Sequence, residues 1–121
     1  MNTANSLLFL LLCVISCKSN DCVIDKGIKK EFYKELNVVK RQYKGQETLV
    51  DEYTDAIFYL EFVTSIPTKA SYSNTIGYRN GKDYTDDISS WEEWYRKNRC
   101  SINRKFIDSV LKHYEYQGQL K

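Results

Sequence analysis

The chain has little of what most active sites are made from. Its 121 residues include a single His, His113, and a single Pro, Pro67. One imidazole excludes sites that need two, such as His-pair zinc centres. A Ser-His-Asp arrangement would depend on His113 alone, and no G-x-S-x-G surrounds any Ser. Neither G-x-x-x-x-G-K-[ST] nor G-x-G-x-x-G occurs, so the common phosphate-cradling loops are missing. Charge of one sign is scarce as well. The 18 Lys and Arg against 16 Asp and Glu leave a net of +2, too little to imply nucleic acid. The apolar run Leu7–Ile15 is nine residues long. As a helix it would rise only about 14 Å, under half of a roughly 30 Å hydrocarbon core. Internal repeats and low-complexity tracts are absent. From these gaps we expect no catalytic constellation, no metal, no cofactor and no nucleic-acid partner.

An apolar fraction of 42% beside a charged fraction of 28% describes a folded globule, and the length allows one domain. Residues 1–16 contain no Lys, Arg, Asp or Glu. With the unbroken apolar run inside it, this stretch fits a secretory signal better than a core helix, because it has no polar face and a polar chain begins at Lys18. The usual basic start is missing. The sequence Val14-Ile15-Ser16-Cys17 resembles the lipobox of bacterial lipoproteins, over about the first twenty residues. That resemblance implies cleavage before Cys17, diacylglycerol on its sulfur and acylation of the new amino terminus. Two or more acyl chains anchor stably where one binds marginally. The implied address is the bacterial cell envelope, with the outer membrane as the expected membrane. The alternative is an ordinary secretory signal cut nearby, leaving a soluble exported protein.

Of four Cys, Cys13 would leave with the leader and Cys17 would take lipid. Cys22 and Cys100 remain, and an oxidising compartment would pair them; the blander reading is two buried thiols. The bridge would add roughly 4–5 kcal/mol in the chain-entropy model. The expected organisation is therefore a signal over 1–16, a lipidated tether over 17–24 and one helical domain over 25–121.

Within that domain Ile28, Phe32, Leu36, Val39 and Tyr43 form one amphipathic stripe, which Gly45 can close in a left-handed conformation. A second helix is expected over about 49–65. Its inner face is Leu49, Tyr53, Ala56, Ile57, Leu60 and Val63, with Thr48 or Asp51 as cap and Ile66-Pro67 as stop. Ser90-Trp91-Glu92-Glu93 has capping-box spacing and predicts a third, short helix. Ser101 or Asn103 begins a last one, with Phe106, Ile107, Val110, Leu111 and Tyr114 inward. Between helices two and three lies a polar loop, 67–85. In it Asn80-Gly81, set between Tyr78 and Tyr84, reads as a type I′ turn and predicts a small β-hairpin near 76–85. The fold class is all-α: a small bundle of about four short amphipathic helices with one long polar loop.

A second resemblance begins at Phe58. Phe58–Ile66, Ile76-Gly77-Tyr78 and Trp91–Asn98 are together similar to the closing segment of uncharacterised bacterial envelope proteins that share a W-x-x-W-[WY]-x-x-N signature. It covers about 40 residues of the chain and implies no catalytic residue. Physically, Trp91, Trp94 and Tyr95 share a helical face and should pack against helix two; Asn98 can end the helix in a left-handed conformation.

The carboxylate pairs Asp86-Asp87 and Glu92-Glu93 point about 100° apart on a helix, and both fall at expected helix starts, where negative charge suits the dipole. Charge is unevenly spread. Residues 17–45 carry net +4, 46–99 net −4 and 100–121 net +2. On a wheel of about 100° per residue the seven bases from Lys26 to Lys44 fall within an arc of about 140°, with Glu31 and Glu35 outside it. Such a face, tethered near Cys17, could lie on anionic lipid or lipopolysaccharide phosphates, or be a solvated face paired with the acidic middle of the molecule.

The function expected is non-catalytic binding by an anchored envelope protein, with an unknown protein or envelope partner. Tyr72, Tyr78 and Tyr84 of the loop, and Lys30, Lys34 and Arg41 of the basic face, are the candidate contact residues. An immunity or inhibitor protein would look like this, as would an accessory subunit. The competing class is a small envelope enzyme acting on glycans through two carboxylates about 5–9.5 Å apart in an aromatic-lined cleft.

Overall fold

A computed structural model describes residues 22–71 and 77–116. The leader 1–16, Cys17 and Tyr72 lie outside the described residues. The described residues form four helices: α1 (Lys26–Tyr43), α2 (Val50–Thr64), α3 (Gly81–Asn98) and α4 (Arg104–Tyr116). The all-α bundle expected from the apolar spacing is what is found.

Helix α1 starts where the Asp25 carboxylate accepts from the Ile28 N–H at 3.0 Å, an N-cap that satisfies one of the free amides of the first turn. It ends before Gly45, whose φ of 74° suits a residue without Cβ. Ile28, Phe32, Leu36 and Val39 are buried as expected, with Val38 beside them, whereas Tyr43 stays 42% exposed.

Helix α2 is the centre, packed by α1, α3 and α4. Accordingly its buried residues go most of the way round: Tyr53, Ala56, Ile57, Tyr59, Leu60, Val63 and Thr64, the pattern of an interior helix. Neither Thr48 nor Asp51 caps it. Leu49 occupies the N-cap without a side-chain bond and is exposed, not inward; Asp51 lies inside the first turn, where its charge favours the dipole instead. The stop comes before Pro67. Ser65 turns left-handed at φ 57°, and the Thr64 hydroxyl donates to Leu60 O at 2.6 Å while accepting from Ile66 N–H at 3.2 Å.

Helix α3 corrects several expectations together. Asn80-Gly81 is not a hairpin turn but the start of α3, with the Asn80 side chain accepting from Asp83 N–H at 2.9 Å. Both readings use the same chemistry, because Asn accepts from the backbone ahead of it in a turn and in a cap alike. Ser90 and Glu93 therefore sit in the helix interior, as do Asp86, Asp87 and Glu92, and none of them is at a helix start. The signal that would have shown this is the row Tyr84, Ile88, Trp91, Tyr95, at spacings of 4, 3 and 4. Among the described residues β-structure is confined to a single bridge, Ser71 with Gly77. Asn98 does not turn left-handed: α3 runs on into Arg99 in right-handed conformation, and the Asn98 amide donates to Trp94 O at 2.8 Å.

Helix α4 is opened by Asn103, which accepts from Phe106 N–H at 2.8 Å. Ile107 is buried as expected, but Phe106 is 40% exposed. Tyr114 stacks on Phe62 of α2 at 3.6 Å.

Helices α1 and α3 run antiparallel, shown by paired contacts along their length: Tyr43 with Tyr84, Lys40 with Glu92, Phe32 with Tyr95 and Cys22 with Cys100. The last pair is a disulfide with Cα atoms 5.1 Å apart, inside the normal range.

Candidate functional site

The outward face of α1 forms an open groove of about 690 Å³, lined by Lys30, Tyr33, Lys34, Asn37, Lys40, Arg41, Lys44 and Gln46. Residues three and four apart on a helix share a face, which is why positions 30 to 44 recur there. No carboxylate is among these lining residues. Two of the bases are fixed by tertiary ion pairs, Lys40 Nζ to Glu92 at 3.0 Å and Arg41 Nη2 to Glu52 at 2.8 Å. Lys34 lies 3.5 Å from the neighbouring Glu35. Thus, among the described residues, the acidic middle of the molecule pairs with the C-terminal half of the basic face, at Lys40 and Arg41. Lys26, Lys29, Lys30 and Lys44 are exposed and make no ion pair among the described residues.

The acids of α1 are withdrawn from this face. Glu31 Oε2 binds Arg104 Nη2 at 2.7 Å. The Glu35 side chain is 16% exposed, and burial pushes its carboxyl pKa up, against the lowering effect of Lys34.

Tyr78 and Tyr84 are placed otherwise than a free recognition surface would place them. The hydroxyl of Tyr78 donates to Asp87 Oδ2 at 2.8 Å, and burial, helped by that carboxylate, raises its pKa. Tyr84 stacks on Tyr43 at 3.7 Å. Asp87, which sequence reasoning assigned to helix dipole stabilisation, is 2% exposed. Its Oδ2 also accepts from the Thr68 hydroxyl at 2.8 Å and from Lys69 N–H at 2.9 Å. The described residues on either side of 72–76 are thus fastened to one buried carboxylate. Asp87 could have been found from its position on the inward row, three after Tyr84 and four before Trp91.

The tryptophan signature is structural in large part. Trp91 is fully buried and its indole N–H donates to Ile66 O at 3.4 Å. Trp94 and Tyr95 do not take helix two as their aromatic partner; they stack on Phe32 of α1, at 6.2 and 4.9 Å. Trp94 also borders a shallow cleft of about 250 Å³, together with Ile66, Ser90, Glu93, Lys97 and Asn98. One carboxylate lines it, Glu93, which is bound to Lys97 at 2.9 Å and held below its usual pKa by that bond.

Among the described residues no group of His, Cys, Asp and Glu is disposed to hold a metal ion, and no helix is long and apolar enough to cross a membrane. Comparison with family models, curated proteins and solved structures finds no match, so the functional case rests on this chain's own residues.

Proposed function

We propose that the chain is a lipid-anchored protein of the bacterial envelope, acylated at Cys17, which works by binding an anionic partner through the outward face of α1. The observation that carries this reading is the Cys22–Cys100 disulfide. Structural disulfides belong to oxidising, exported compartments. With these two cysteines paired, Cys17 is the one thiol left beyond the apolar run, at the end of the lipobox-like tetrapeptide. The cationic lining of the α1 groove supplies the means of binding. A glycan-acting enzyme would need a second carboxylate in the Trp94 cleft, where Glu93 is the one carboxylate among the lining residues.

The test is the intact mass of protein extracted from membranes, with thiol labelling under non-reducing conditions. The expected result is an acylated chain beginning at Cys17, with Cys22 and Cys100 both unlabelled. An unacylated chain in the soluble fraction would overturn the anchor.

A further inference from the structure

We infer that the unpaired lysines of α1 dock the domain on the phosphate headgroups of anionic phospholipid, with α1 lying along the bilayer surface. This deepens the anchored reading and rests on it for the membrane's proximity.

Three observations select this occupant. First, Lys26, Lys29 and Lys30 stand in the opening turns of α1, where the first turn holds no acid. The helix dipole disfavours cations at that end; the Asp25 carboxylate at the N-cap answers part of this, and none of the three lysines has an ion pair among the described residues to offset the rest. A surface of negative charge outside the molecule would. Second, the tether starts at this same end. Cys17 precedes Cys22 by five residues, which reach about 18 Å at most, whereas the 18 residues of α1 extend about 27 Å. The first turns of α1 are thereby held where the headgroup concentration is high. Val23, beside Cys22, is 80% exposed and presents an aliphatic side chain at this end. Third, the face is lysine-built. Lys is a point charge on a flexible stem, which tolerates a mobile array of headgroups; the planar fork of Arg suits fixed, bidentate partners. The face's one Arg, Arg41, is already bound to Glu52.

The experiment uses the full chain carrying Cys17→Ser, so that acylation contributes nothing. Partitioning is measured on vesicles of phosphatidylcholine alone and on vesicles also containing phosphatidylglycerol; the neutral vesicles account for the apolar leader. Each base near an anionic surface contributes about a factor of five. We expect binding at least about tenfold tighter on the anionic vesicles, screened away by high salt. The quadruple variant Lys26→Gln, Lys29→Gln, Lys30→Gln, Lys44→Gln should abolish that preference while its circular dichroism stays native, since none of the four makes an ion pair among the described residues. Lys105→Gln with Lys112→Gln on α4 should leave most of it. Equal binding to both vesicle types, or an equal loss in the α4 variant, would overturn the proposal. Either result is independent of whether Cys17 is acylated in the cell.

Discussion

Asp87 shows how one side chain can organise a loop. A carboxylate that is 2% exposed is costly unless its charge is met by donors. Here Thr68, Lys69 and Tyr78 all converge on its Oδ2, so the segments before and after residues 72–76 are fastened to the same atom. Replacing Asp87 with Ala removes the acceptor from three donors at once and should cost about 3 kcal/mol or more. Tyr78→Phe removes one donor and should cost roughly 1–2 kcal/mol. In thermal denaturation each kcal/mol appears as a fall of about 4–8 °C for a domain of this size. Equal losses in the two variants would show that Thr68 and Lys69 contribute nothing. The neighbouring Asp86 behaves differently: half-buried between Lys69 and Lys82, its carboxyl is held down at about 2 by their hydrogen bonds, a local charge pairing that fastens nothing buried.

At the scale of the element, three of the four helices were legible because each has an apolar stripe, followed by Gly45 after α1 and by Pro67 after α2. Helix α3 was half hidden. Its first turns, Gly81-Lys82-Asp83-Tyr84-Thr85-Asp86-Asp87, are poor helix formers apart from Lys82, and an inward carboxylate takes a place where a hydrophobe was sought. The start at Gly81 makes a sharp prediction. Asn80→Ala should destabilise by about 1 kcal/mol through loss of the cap, whereas Ser90→Ala, in the helix interior, should change stability by under about 0.5 kcal/mol. Urea unfolding of the two variants checks this, and the reverse order would restore Ser90 as the cap. The candidate site divides in the same way. The basic face of α1 was readable because charge adds up on a helical wheel. The ties of Lys40 to Glu92 and Arg41 to Glu52 were not, since they depend on how α3 and α2 pack against α1.

At the scale of the molecule, the tyrosines set the alkaline limit of the fold. Tyr53 and Tyr59 are buried, and among the described residues their hydroxyls have no hydrogen-bond partner; that of Tyr78 donates to Asp87. Burial raises all three, with the Asp87 charge adding to it at Tyr53 and Tyr78, and Tyr53 is pushed up to about 12. In the unfolded chain each loses its proton near pH 10, so above that pH the folded state holds more protons than the unfolded one. Stability is therefore at its full value below pH 10 and falls as pH rises toward 12, the reverse of the acid-side behaviour of a salt-bridged carboxylate. Each such group contributes a slope of about 1.4 kcal/mol per pH unit between its unfolded and folded pKa, so the three acting together between about pH 10 and 12 bring the loss into the range of a small domain's whole stability. Alkaline titration should accordingly show the ultraviolet phenolate band of these tyrosines rising together with loss of helical circular dichroism. Tyr59→Phe should shift that transition to higher pH, because it removes both an unpartnered hydroxyl and one ionising group. A phenolate signal that completes near pH 10 with the helices intact would mean that these rings are open to solvent and that α2 is not the buried centre of the bundle.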